Sequence, residues 1–330
     1  MKRKVSRKEV NKQVLKEYKV SKNIRLIDFL FETFPDKSRN NIKSLLSRKL
    51  VLIDGAPISQ FDFELVKGDI VQISPVSVAK TKQQASKIKI IFEDDDLLVI
   101  NKPAGLLSIA TDKEKTTTAY RLCTDYIRSK DSHARIFVTH RLDKETSGVL
   151  LFSKNEKIRN SLQDKWNEIV LEREYIALCE GVFEKKQDRI ISWLLETSTN
   201  LMYSSHKKGD GQKAITNYKV INENNEYSLL QVNIDSGRKN QIRVHMKDLG
   251  HNIVGDDKYG SLKDPIGRLG LHARKLVLKD PRNDKILTFT ATGEDALKRV
   301  FEPGFVPVKS KKVIEEEKKA KAKLKNKRKK

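Results

Sequence analysis

Between residues 89 and 305 the apolar residues fall in short runs closed by turn residues, and this constrains the chain to a sheet-rich fold. "IKIIFEDDDLLVINKPAG" reads as two strands around a turn at Asp94, Asp95 and Asp96, with a sharp bend at Pro103 and Gly105. "GVLLF" is a buried strand, "EYIALCEGVF" alternates up to Gly181, and "AITNYKVI" and "EYSLLQVNI" are further strands. Helical spacing interrupts them three times. Ala119, Leu122, Cys123, Tyr126 and Ile127 share one face of a helix over 117–130, which makes Cys123 a core residue rather than a reactive thiol. Ile158, Leu162 and Trp166 recur every four residues in "NEKIRNSLQDKWNEIV". "NQIRVHMKDLG" reads as a helix capped by Asn240 and stopped by Gly250. The pattern predicts one large α+β domain over 89–305 with a mixed sheet.

A smaller α+β module is expected over 24–75. "IRLIDFLFETF" places Leu26, Phe29 and Leu30 on one helical face, broken by Pro35 and Asp36. Ser38 caps a second helix that turns Ile42, Leu45 and Leu46 inward and shows Arg39, Lys43 and Arg48 on its other face. "LVLIDGAPI" is a hairpin about Asp54 and Gly55, and "KGDIVQI" a turn and a last strand. Residues 76–88 lack periodicity and read as a linker.

The net charge of +23 is concentrated at the ends. Residues 1–23 carry nine Lys or Arg against two Glu, and residues 309–330 carry twelve against three. The first stretch reads as a basic extension, and 306–330 as a basic disordered tail. Such an excess suits a polyanion, above all a nucleic acid, bound in a salt-dependent way.

Several classes of chemistry are excluded. The two cysteines, Cys123 and Cys179, have no metal spacing, and the six histidines are scattered, so no metal site is expected. No phosphate-cradling loop or GxGxxG follows a strand, so no nucleotide cofactor is expected. The letters His-Arg-Leu-Asp resemble a kinase catalytic loop, but no Gly-rich loop or Asp-Phe-Gly accompanies them. The N-terminus is basic without an apolar segment, and no apolar run approaches the ~20 residues that span a bilayer. A reducing, cytoplasmic setting follows.

What remains is a carboxylate in a basic turn. In "THRLDKETSGVLLFSKN" Asp143 stands beside Arg141 and Lys144 at the mouth of a strand. Taken alone, it is either a working acid or half of a salt bridge. Downstream, "DSGRKNQIRVHMKDLGHNIVGDDKYG" sets Arg243 in the first turn of a helix, where the helix dipole disfavours a cation. A fixed anionic partner is expected there, and Asp143 is a candidate.

"HRLDKETSGVLLFSKN" and "GRKNQIRVHMKDLGHNIVGDDKYG", with "NKPAG", "REYIALCEG", "GQKAITNYKV" and "LHARKLVLKDP", resemble the RluA family of RNA pseudouridine synthases over residues 89 to about 300. "RLIDFL", "SRNNIKSLL", "LVLIDG" and "VKGDIV" resemble the small RNA-binding domain first seen in ribosomal protein S-four, with Lys49 where that pattern often has Gly. The resemblance implies a pseudouridine-synthase-type α+β catalytic domain with a mixed, mainly antiparallel sheet, following an S-four-like domain. It implies a monomeric, cofactor-free isomerase that rejoins uracil to ribose through carbon 5. Asp143 would be the essential aspartate, as nucleophile or base. Tyr175 would stack on the base and help remove the carbon 5 proton, and Arg243 would pair with Asp143. Arg141, Lys102 and Arg238 would contact substrate, and Arg39, Lys43 and Arg48 would grip RNA. Large-subunit ribosomal RNA is the expected substrate; transfer RNA, or a non-catalytic role in RNA binding, are the alternatives. Asn240 departs from the family, which commonly has His there.

Overall fold

A computed structural model describes residues 16–47, 50–54, 56–73, 88–112, 114 and 117–308. The chain divides into two compact units, Met1–Ser86 and Lys87–Lys330.

In the first unit, strands β1 (Lys16–Lys19), β3 (Val51–Ile53), β4 (Ala56–Ile58) and β6 (Ile70–Ile73) form an antiparallel sheet in the order β1-β6-β3-β4. The short pair β2 (Ile24–Arg25) and β5 (Glu64–Leu65) lies apart from it. Helices α1 (Leu26–Thr33) and α2 (Arg39–Ser47) bury Leu26, Leu30, Ile42 and Leu46 in one cluster with Val51 and Val71. The Ser38 hydroxyl accepts from the Asn41 N–H at 3.2 Å, the expected cap. The boundary expected at residue 24 is corrected by β1. "KEYK" is too polar to signal a strand, yet its backbone extends the sheet beside β6, Lys16 opposite Ile73. Arg48, and all but residue 88 of the expected linker from 76 onward, lie outside the described residues.

The second unit is built on one sheet of eleven strands. They are β7 (Lys89–Glu93), β8 (Leu97–Lys102), β9 (Phe137–Val138), β10 (Ser147–Ser153), β11 (Val170–Glu180), β12 (Gln187–Glu196), β13 (Met202–Ser205), β14 (Gln212–Glu223), β15 (Tyr227–Ile234), β16 (Leu271–Lys279) and β17 (Ile286–Thr290). The order is β13-β12-β14-β15-β11-β16-β10-β8-β7, with β17 added to β16 and β9 to β10. Every pair is antiparallel except β10 with β16, so the fold is α+β with a mixed, mainly antiparallel sheet. Helix α3 (Ala119–Lys130) covers one face of β8 and β10, packing Leu122, Cys123 and Ile127 on Ile100, Leu150 and Phe152. The other face of β10 buries Val149 and Leu151 with Leu162. "GVLLF" is apolar throughout because both of its faces are covered.

Two helices differ from expectation. The helix over 155–170 breaks at Lys165 into α4 (Glu156–Asp164) and α5 (Trp166–Ile169), and Trp166 leaves the stripe that Ile158 and Leu162 continue. Helix α6 (Gln241–Asp248) follows Asn240, but the Asn240 side chain does not cap it; the residue sits at φ 55°. Instead the Gln241 amide donates to Ile215 O and the Thr216 hydroxyl, and His245 bonds both Ser192 and Thr216, pinning α6 to β12 and β14. At the C-terminus, the tail expected from residue 306 is ordered through Val308, whose N–H donates to Pro265 O at 2.9 Å. Among the described residues no helix is long and apolar enough to cross a membrane.

The parallel junction leaves no room for a side chain at Gly148. Its φ is 117°, and a Cβ there would lie 2.1 Å from Ala273 O. Gly148→Ala should therefore cost about 3 kcal/mol or more, because both the strained backbone and the clash with a central strand must be relieved. Urea unfolding of the two proteins measures the difference, and equal midpoints would refute the reading.

Candidate active site

Asp143 lies in the turn that feeds β10, and its backbone is clamped from two sides. The buried Ser108 hydroxyl donates to Leu142 O at 2.7 Å and accepts from the Leu142 N–H at 3.0 Å. The Thr146 N–H closes the turn on Asp143 O, and the Gly105 N–H donates to Lys144 O at 3.0 Å. Lys102 completes the clamp. Expected as a substrate contact, it is instead fully buried, and its Nζ donates to Pro103 O, Leu106 O and Lys144 O at 3.1, 2.7 and 3.0 Å. Three carbonyls match the three donors of an ammonium. Burial pulls its pKa down to about 7, against the charges of Glu145 and Asp143. The "NKPAG" segment thus acts through the turn it holds and offers no lysine to solvent.

The Asp143 carboxylate is partly exposed and receives Arg243 Nη1 at 3.3 Å, 100 residues away in sequence. Asp143 is nevertheless the lesser partner. Arg243 donates Nε to Asp256 Oδ2 at 2.8 Å and Nη2 to Asp256 Oδ1 at 2.7 Å, a two-pronged pair with an almost fully buried carboxylate. The Tyr259 ring lies 5.1 Å from the guanidinium carbon. Burial opposes the arginine's charge, but Asp256, and after it Asp143, outweigh this and hold its pKa above the ordinary value. Asn240, expected as a helix cap, belongs to this network. Its Oδ1 accepts from Arg243 Nη1 at 3.3 Å and its Nδ2 donates to Tyr259 Oη at 2.9 Å.

Asp143, Arg243 and Tyr175 line one small cavity of about 80 Å³, with Ile234, Leu271 and Thr146. Tyr175 is half-buried on β11, at an irregularity in its pairing with β16. Such bulges re-aim side chains beside functional sites. An adjoining cleft of about 740 Å³ shares Asp143 and Tyr175 and is lined by the exposed Arg141 and Arg238, with Lys144, Arg173 and Lys239. Arg141 and Arg238, expected as substrate contacts, line both the cavity and the cleft. Arg39 and Lys43 are exposed on α2 of the first unit. Among the described residues no cluster of His, Cys, Asp or Glu could hold a metal ion.

Residues 96–248 match the family described as RNA pseudouridylate synthase. An uncharacterized RNA pseudouridine synthase of Aquifex aeolicus is 32% identical over 252 residues, covering 74% of this chain and 79% of that one. Ribosomal large subunit pseudouridine synthase D of Borreliella burgdorferi is 32% identical over 259 residues, 76% of each chain. Among solved structures, human RNA pseudouridylate synthase domain containing 4 shares the fold with a TM-score of 0.55 at 22% identity, covering 66% of this chain and 95% of its own. The chain belongs to the RluA-like family of RNA pseudouridine synthases. It is an isomerase that converts uridine to pseudouridine in RNA.

In this synthase burial, aided by the Asp143 charge and opposed by Arg173, pushes the Tyr175 phenol up to about 12. A phenol held neutral near pH 7 offers a ring face and a hydrogen-bond donor rather than a standing base. Sequence reasoning passed over two residues of the site. Asp256 stands in the quoted "VGDDKYG", and the signal for it was the unfavourably placed Arg243, which required an anion but did not say which. Arg173, in "REYIALCEG", carried no such signal; its Nη2 donates to Asp235 O at 2.8 Å and its side chain lines the cleft.

If Asp256 is the main anchor of Arg243, Asp256→Ala should lower stability by about 3–5 kcal/mol, the usual loss when a buried ion pair is halved. Asp256→Asn, which keeps one acceptor, should lose about 2–3 kcal/mol. Urea unfolding measures both, and wild-type stability in Asp256→Ala would show that the pair anchors nothing.

Proposed function

We propose that this synthase modifies uridine in large-subunit ribosomal RNA, with Asp143 as the group that acts on the ribose. The observation that carries the reading is a single one: a carboxylate and a neutral tyrosine share a small cavity beside a cation-lined cleft. The choice of ribosomal RNA rests on the named activity of the Borreliella relative.

The reaction breaks the bond between ribose C1′ and uracil N1, forms one between C1′ and C5, moves a proton off C5 and returns one to N1. Asp143 can enter by attacking C1′ or by taking the C2′ proton. Both routes need a carboxylate oxygen free to reach the sugar, and the geometry suits them. Arg243 is held mainly by Asp256, so it touches Asp143 through one hydrogen bond to Oδ2. Oδ1 has no hydrogen-bond partner among the described residues. Positive charge developing on the ribose is stabilised by the same carboxylate. Tyr175 presents its ring to the uracil, and Arg141 and Arg238 meet phosphates at the rim. Extruding the base costs a few kcal/mol, which phosphate contacts offset. The first unit, read as an S-four-like domain, adds RNA affinity through Arg39 and Lys43.

Asp143→Asn should abolish pseudouridine formation while RNA affinity changes by less than about threefold, since the cations that grip phosphate are untouched. Pseudouridine assay and filter binding on the purified protein measure the two. Chemical mapping of ribosomal and transfer RNA from cells with and without the gene should show a site lost from large-subunit RNA. Loss only from transfer RNA would reassign the substrate, and full activity in Asp143→Asn would overturn the role of Asp143.

A further inference from the structure

The cleft that holds Asp143 and Tyr175 is also lined by Trp166. That position is unusual for this helix. The break at Lys165 takes Trp166 out of the buried stripe of α4 and leaves its indole half-buried on the cleft wall. The His140 ring backs it, with centroids 5.1 Å apart and planes tilted by 35°. His140 is itself immobilised, because its Nε2 accepts from the Leu151 N–H of β10 at 3.0 Å. Burial, and then the Arg173 charge, push this imidazole down to about 3, so the backing ring is neutral.

The charge around the indole selects its partner. Arg141, Lys144, Arg173, Arg238 and Lys239 line this cleft, against Asp143 as its one carboxylate among the described lining residues. Arg141, Arg173 and Arg238 have no ion-pair partner among the described residues. An aromatic face set in a cationic groove is the arrangement that holds single-stranded nucleic acid, each base stacking while the groove tracks the phosphates. A base-paired helix would not offer a free face to the indole.

We propose that Trp166, backed by His140, is a second base-stacking site that holds an unpaired base flanking the target uridine, on the strand whose uridine enters the Tyr175 cavity. The proposal rests on the reading of this cleft as the RNA site. Tyr175 takes the base that reacts. Trp166 takes a neighbour and fixes the register of the strand, so it works through binding and not through the chemical step.

The chain has two tryptophans, Trp166 and Trp193, so Trp193→Phe leaves Trp166 as the sole indole reporter. The test titrates Asp143→Asn/Trp193→Phe, which cannot turn over, with a single-stranded oligouridylate of about ten nucleotides. Fluorescence should be quenched along the same isotherm that anisotropy of a labelled strand reports. Trp166→Ala should weaken binding about five- to a hundredfold, and Trp166→Phe should restore most of it. With a substrate RNA, Trp166→Ala should raise KM while kcat changes by less than about twofold. Binding without quenching, or unaltered affinity in Trp166→Ala, would overturn the proposal. So would a loss of kcat and melting temperature that Trp166→Phe does not rescue, since that marks a structural prop. Pseudouridine formation by the wild type is scored separately: its absence with quenching intact would sink the proposed function and leave the stacking site standing.

Discussion

The site depends on how one guanidinium is divided. Arg243 gives Nε and Nη2 to the buried Asp256 and only Nη1 to Asp143 and Asn240. A buried arginine facing Asp143 alone would form a tight two-pronged pair and occupy both carboxylate oxygens. With Asp256 present, the strong pair is made elsewhere and Asp143 keeps one carboxylate oxygen without a hydrogen-bond partner among the described residues. The cost is burial of a charge pair, which is tolerable only because its donors are satisfied by Asp256, Asn240 and Asp143 and its face by Tyr259. Asn240 matters here as a link between Arg243 and Tyr259, not as a helix cap, and the left-handed backbone at this residue frees the side chain for that task.

The other partner, Asp143, is held by backbone rather than by side chain. Lys102, Ser108 and the Gly105 N–H all bind the carbonyls or amides of residues 142–144, so the turn is fixed while the carboxylate itself stays open. The turn then runs at once into β10, which lies parallel to β16 at Gly148 and Ala273. That junction leaves no freedom in register. A loop placed against a central, doubly covered strand inherits its rigidity, which is what the role proposed for Asp143 at a ribose carbon would require.

Much of this was legible in the chain. The strand runs, the Asp94–Asp96 turn and the helix of residues 119–130 follow from periodicity, because their apolar faces are ones the fold does bury. The Asp143–Arg243 contact was legible as a candidate pair, from the misplaced cation and from the family resemblance, but the division of Arg243 between Asp143 and Asp256 was not, since proximity across 100 residues is set by the sheet. Lys102 was misread for a physical reason. A lysine at a strand end is ordinarily solvated, and only the convergence of three carbonyls from two turns makes its burial stable. β1 was hidden because an edge strand facing solvent needs no apolar side chains, only backbone partners. Trp166 was read as the next step of a helical stripe, and one residue with non-helical dihedrals turned it to the cleft.

The separation of charges explains why so basic a chain can keep acids at its centre. Asp143 and Asp256 share Arg243 inside, while Arg141, Arg173 and Arg238 stand along the cleft without acidic partners among the described residues. On the proposed function, an RNA strand drawn in by the outer cations would meet a carboxylate only where its backbone has been pulled aside and a base extruded. On the same proposal, phosphate held by these cations would keep its charge away from Asp143, and the neutral sugar edge would be what reaches the acid. Repulsion between carboxylate and phosphate would then act as a positioning force, favouring the flipped geometry over an RNA lying flat across the site.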